Sequence, residues 1–206
     1  MEVASSVLKK GRTRGTGAPT HNMLHTFVVY VENKPGVLTR VSSLFRRRGF
    51  NIDSLTVGRT EKPDVSRMTI VLEANEDQAR RMVANVYKLV NVLYVDDVTA
   101  EPAITRDLAL IKVGATHEAR SHVLELASVF RARVVDVAPE SLTMEITGGE
   151  DKIDGLLEVL RPYGLLEVVR TGIVAMRRGA KFSQHALSKA NGKSVATDDG
   201  NVSYSV

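Results

Sequence analysis

The hydrophobic period of this chain changes in a fixed order, and the whole order is then repeated, which leaves few architectures open to it. Leu24 to Val31 is a β-rich run, and Asn33-Lys34-Pro35-Gly36 follows with turn chemistry. Val37, Leu38, Val41, Leu44 and Phe45 recur on one face of a helix, which Gly49 stops after Arg46-Arg47-Arg48. Phe50 to Gly58 and Ser66 to Glu73 read as two strands joined by the loop Glu61-Lys62-Pro63-Asp64. Asn75 and Gln78 are spaced as a capping box, and the helix they open presents Met82, Val83, Val86 and Val90 on one face. Asn91 to Glu101 reads as a fourth strand, and Pro102 breaks it.

Beyond Pro102 the pattern returns. Leu108 to Val113 is a strand, Thr116 is placed to cap a helix bearing Val123, Leu124, Ala127 and Phe130, and Val134, Val135 and Val137 lie in a second strand. Ser141 to Thr147 is a third strand, Ile153, Leu156, Leu157 and Leu160 mark a second helix, and Leu165 to Met176 reads as one last strand. Both halves are βαββαβ. The expected fold class is therefore α+β, two tandem ferredoxin-like units over residues 23–102 and 103–178. Each unit has about 75 to 80 residues, small enough that pairing of sheets between units or between chains would help bury surface.

Residues 1–22 and 179–206 are rich in Gly, Ser, Asn and Lys and show no period, so they are expected to be disordered tails. The first reads as a plain extension rather than a targeting segment. They also decide how the pI of about 9.4 is understood: residues 1–22 carry +3 and residues 177–206 carry +3, leaving 23–176 at −2. The repeated core is thus not basic, and nucleic-acid binding by it is not expected. No run approaches a membrane span of roughly 20 apolar residues, and a soluble cytoplasmic protein is expected. Cysteine is absent, which excludes disulfides, thiolate nucleophiles and thiolate metal sites.

Several patterns resemble functional motifs without their context. Of His21, His25, His117, His122 and His185, only His21 and His25 stand four apart, at the start of a β-rich run rather than on a helix, and none stands beside a carboxylate at a metal-ligand spacing. No nucleophile elbow or phosphate-loop sequence occurs, and Gly11, Gly15 and Gly17 follow no strand. Gly148-Gly149 opens a helix, but Glu150 and Asp151 would repel an anion there. Arg48-Gly49-Phe50 resembles a fragment of an RNA-recognition signature, yet the third strand, Ser66 to Leu72, holds no base-stacking aromatic. Arg46, Arg47 and Arg48 are accounted for by the helix macrodipole, with an anionic partner surface as the alternative.

The loop Asn33 to Gly36 is different. Pro35 then Gly36 suits the central positions of a type II turn, the second of which needs φ > 0. The helix opening at Val37 aims unpaired N–H groups at that turn, which suits a carboxylate, while the Asn33 amide can meet either end of a zwitterion. Equally, Asn33 can make an Asx-turn that Gly36 merely permits. Spacing alone leaves both readings open.

Thr26 to Val41, with Gly49-Phe50-Asn51-Ile52-Asp53-Ser54-Leu55-Thr56-Val57-Gly58, resembles an ACT domain, specifically that of the regulatory (small) subunits of acetolactate synthase. Ser66 to Ile70, Lys88 to Val92, Phe130 to Val137 and Arg170 to Ala175 extend the resemblance across roughly residues 23 to 178. It implies a non-catalytic homodimer whose ACT sheets pair side by side, with valine at the interface. The amides of Gly36, Val37 and Leu38 would then meet the ligand carboxylate, and Asn33 and Asn51 its charged groups. Val37 and Ile52 would line its side chain, with Asn51 and Ile52 coming from the other chain. That apolar wall does not choose among valine, leucine and isoleucine, since one methylene is worth about 1–3 kcal/mol. Lys34, Pro35 and Thr39 fall at variable places of the pattern. The resemblance further implies that this chain activates a large catalytic subunit and confers feedback inhibition in branched-chain amino-acid biosynthesis. Thiamine diphosphate, magnesium and FAD would reside on that partner and no cofactor or metal here. The alternatives are an amino-acid-sensing ACT protein that controls transcription or another enzyme, against which stands the lack of a helix-turn-helix pattern, and an enzyme in its own right.

Overall fold

The computed structural model describes residues 21–179; the two expected disordered tails lie almost wholly outside the described residues. The first unit runs β1 (Met23–Glu32), α1 (Val37–Arg47), β2 (Ser54–Arg59), β3 (Val65–Ala74), α2 (Glu76–Val86) and β4 (Val92–Asp97). The second runs β5 (Ala103–Gly114), α3 (Arg120–Val129), β6 (Arg133–Val137), β7 (Ser141–Gly148), α4 (Glu150–Leu160), β8 (Leu165–Arg170) and β9 (Val174–Arg177). The sheets are antiparallel with orders β2-β3-β1-β4 and β6-β7-β5-β8, the same ferredoxin-like topology twice.

Strand alternation sorts the core. Phe27, Val29 and Val31 of β1 and Met68, Ile70 and Leu72 of β3 face the helices, where Val41, Phe45, Met82 and Val86 meet them. Ile111, Val113, Leu142, Met144, Ile153 and Leu156 do the same in the second unit. The helix ends follow local chemistry. Gly49, at φ 75°, lets its own N–H reach the Arg46 carbonyl and that of Phe50 reach Phe45, a Schellman stop to α1. Asn75 and Gln78 form the expected capping box, each side chain bonding the other's backbone N–H at 3.0 Å.

Six expectations are corrected. Val90 lies beyond α2, which ends at Val86, and is 84% exposed. The second strand starts at Ser54, so Asn51 belongs to the connection from α1. Thr116 stands one turn ahead of α3: its hydroxyl takes the Ala119 N–H at 3.4 Å, and the helix opens at Arg120 without a side-chain cap. The strand expected over Leu108–Val113 extends back to Ala103, and the one expected over Asn91–Glu101 is confined to Val92–Asp97. The final strand is broken at Gly172, φ 83°, into β8 and β9, both paired to β5.

That break joins the units. Beyond it, β9 and the start of β5 form a ribbon over the face of the first sheet that the helices leave uncovered, burying Val28 and Val98 against Ala175. Arg67 donates to the Ala175 carbonyl, Arg177 donates to Asp96 at 2.9 Å, and the Ile173 N–H donates to the Ser54 hydroxyl at 3.0 Å. Among the described residues no helix is long and apolar enough to cross a membrane.

Candidate functional site

The turn after β1 has the geometry its residues dictate. The Lys34 carbonyl accepts the Val37 N–H at 3.4 Å, with Pro35 and Gly36 at the central positions and Gly36 at φ 79°, ψ −7°, the values of a type II turn. A Cβ on Gly36 would meet nothing within 4 Å, so conformation rather than crowding requires glycine there. The first-turn amides of α1, with no carbonyl partner inside the helix, open onto this turn.

Asn33 does not make an Asx-turn. Two residues on stands Pro35, which has no N–H to offer. Its amide instead ties the turn to the β2–β3 hairpin: Nδ2 donates to the Pro63 carbonyl at 2.9 Å and Oδ1 accepts the Ser66 hydroxyl at 3.1 Å. One N–H and one lone pair of the amide remain.

Asn33, Val37, Leu38, Val57, Ser66 and Met68 surround a shallow pocket of about 110 Å³. Leu38 and Val57 form its apolar rim, 42% and 43% exposed, at the edge of the sheet. Beside it, the Asn91 amide donates to Glu32 at 2.7 Å and Lys34 lies 3.2 Å from the same oxygen. The hydrogen bond from Asn91, helped by Lys34, holds the Glu32 carboxyl below its ordinary value despite partial burial. Val57, Ser66 and Glu32 are not among the expected site residues; Glu32 directly precedes Asn33 in the chain, while strand register, pairing Val57 with Met68 and Val31 with Ser66, brings Val57 and Ser66 to the turn.

Asn51 and Ile52 are not brought to Asn33 within one chain. They follow the far end of α1, eleven residues and so about 16 Å from its start. Ile52 packs against the core, and the exposed Asn51 donates to Asp53 at 3.4 Å. A second cavity of about 380 Å³ lies where the two units meet, walled by Ser54, Leu55, Asp107, Arg170 and Thr171. Asp107 is buried there and satisfied by Arg170 at 2.7 Å and Thr171 at 3.0 Å. Burial opposes the charge on Arg170, but its bonds to Asp107 and Asp154 outweigh that and raise its pKa.

Two family models match the chain. Residues 27–94 match a model described as the AHAS small subunit-like ACT domain, and residues 106–179 one described as the small subunit of acetolactate synthase. A probable acetolactate synthase small subunit of Archaeoglobus fulgidus is 50% identical over 159 residues, covering 77% of this chain and 99% of that protein. The acetolactate synthase small subunit of Mycolicibacterium smegmatis is 48% identical over 165 residues, covering 80% and 95%. The crystal structure of the small subunit from Thermotoga maritima superposes with a TM-score of 0.72 at 38% identity, covering 77% of this chain and 99% of that one.

Proposed function

This chain belongs to the acetolactate synthase small-subunit family, and from that premise we propose that it is the regulatory subunit whose β1–α1 turn binds valine across a homodimer. It activates a catalytic large subunit, carries no active site of its own, and leaves thiamine diphosphate, magnesium and FAD to that partner.

The observation that supports the shared site is the register of β2. Among the described residues this strand is the outer edge of its sheet and pairs only with β3. A symmetric antiparallel pairing of β2 with its own copy, with strands about 4.8 Å apart, puts one residue opposite itself; centred on Val57, it sets Leu55 of one chain opposite Arg59 of the other. Arg59 neighbours Ser66, which bonds Asn33. Asn51 and Ile52, just ahead of Ser54, therefore arrive beside the Asn33 turn from the second chain and complete a pocket that one chain leaves shallow. In that arrangement Gly36 to Leu38 offer amides to the ligand carboxylate, the two asparagines meet its charged groups, and Val37 and Ile52 enclose its side chain.

A ligand held by two chains shifts activity only by preferring one dimer arrangement, and a coupling of about 1–3 kcal/mol suffices for feedback inhibition. The contacts of Ser54 and Thr56 on β2 with the Thr171–Ile173 segment give that preference a route to the second unit. Calorimetric titration of the full chain with L-valine, leucine, isoleucine and an unrelated amino acid tests the site. Saturable valine binding that disappears in Asn33→Ala is the expected result; unaltered binding by that variant removes the assignment.

A further inference from the structure

We infer that the paired helices of the first unit form a docking surface for acidic side chains of the catalytic subunit, centred on a pocket between Arg48 and Arg81; this rests on the regulatory reading above. The pocket, about 230 Å³, is lined by Arg48, Phe50, Gln78, Arg81, Met82 and Asn85. Its hydrogen-bonding capacity is one-sided. The Asn85 oxygen accepts from Arg48 at 3.1 Å, and the Gln78 oxygen accepts the Asn75 N–H at 3.0 Å within the capping box. Both amides are therefore left with their NH2 groups to donate, together with the guanidinium hydrogens that Arg48 and Arg81 have left. Arg81 spends only its Nε, on the Asp77 carbonyl at 3.0 Å. Among the described residues neither arginine makes an ion pair. Such a wall, all donors and doubly positive over an apolar floor of Phe50 and Met82, fits carboxylates.

The surroundings extend the same sign. α1 carries Arg40, Arg46 and Arg47, all exposed, and no acidic residue. Helix electrostatics account for part of this: Arg46 and Arg47 lie in the last turn of α1, where the dipole favours them, and Arg80 is paired with Asp77, but Arg40 in the first turn of α1 and Arg81 in the middle of α2 gain nothing from the dipoles. With residues 23–176 at −2 overall, and Asp77 of α2 spent on Arg80, the arginines left around the pocket form a basic face that an acidic partner would neutralise. Carboxylates reach this face as parts of a protein that the chain must recognise with orientation, which favours a partner surface over a free anion.

The test uses the full chain and its own catalytic subunit, with association measured by calorimetry and activation by the acetolactate-forming rate, at low and raised salt. Wild type is expected to bind and activate, more weakly at higher salt. Arg48→Glu and Arg81→Glu should each raise the dissociation constant tenfold or more and flatten the salt dependence, while Arg48→Gln and Arg81→Gln give smaller losses. Arg161→Glu, an equal charge change on the second unit, should bind as wild type, and valine binding should persist in all variants as proof of folding. Unchanged association in both reversals overturns the docking surface and leaves the regulatory reading standing. Absence of association by wild type overturns both. Inorganic phosphate that binds wild type but not the reversals, with association unaltered, makes the pocket a small-anion site and likewise overturns it.

Discussion

Gly172 meets Ser54 so closely that a Cβ on the glycine would stand 2.5 Å from the serine hydroxyl and 3.2 Å from that of Thr56. The glycine also needs its φ of 83° to break the last strand of the second unit, so the contact between the units depends on it twice over. Gly172→Ala is expected to destabilise the chain by about 1–3 kcal/mol, through strain and the clash together. Adding Ser54→Gly should recover part of that loss, a coupling that urea denaturation of the single and double variants would measure.

Ser66, in the wall of the pocket, orients Asn33 by donating to its amide oxygen. Ser66→Ala should therefore weaken valine binding less than Asn33→Ala, by the roughly 0.5–1.5 kcal/mol of one hydrogen bond. Reconstituted with the catalytic subunit, Asn33→Ala and Asn51→Ala should lose valine inhibition and keep activation. Full valine sensitivity in both would refute the shared site.

Val57 sits next to the centre of β2 and is half exposed at the edge of the sheet. In a symmetric β2 pairing Val57→Asp brings two carboxylates together and leaves the single chain's core untouched. Sedimentation should show monomers where wild type is dimeric, with valine binding lost in step.

The Glu32 carboxyl is held below its ordinary value by Asn91 and Lys34. A depressed carboxylate stabilises the fold above its unfolded pKa and ceases to do so as pH falls through the folded one. Stability measured by urea at neutral pH and at about pH 3 should fall less steeply in Glu32→Gln than in wild type. An identical slope in the two proteins would show that the Asn91 bond does not favour the charged form.

Asn75 caps α2 reciprocally with Gln78. Asn75→Ala should cost about 1 kcal/mol, seen as a lower denaturation midpoint with an unchanged slope.

The repeated βαββαβ order, the Gly49 stop, the Asn75 cap and the Pro35-Gly36 turn were all legible in the sequence. Each depends on residues a few positions apart, whose chemistry acts before any packing is decided. Asn33 and Gly36 could be picked out for the same reason. The partners of Asn33 could not, because Pro63 and Ser66 stand about thirty residues away and reach it only through strand register. Nor could the break at Gly172: Leu165 to Met176 has the composition of one strand, and the division follows from the close approach of β2 in the other unit. The sequence by itself determined the two units and the turn that opens the first helix, since local periodicity and capping suffice for these. The tertiary structure alone decided that β9 crosses to the first sheet, that Asn51 lies a helix length from Asn33, and that Arg48 and Arg81 share a pocket, since these depend on how separate segments pair and pack.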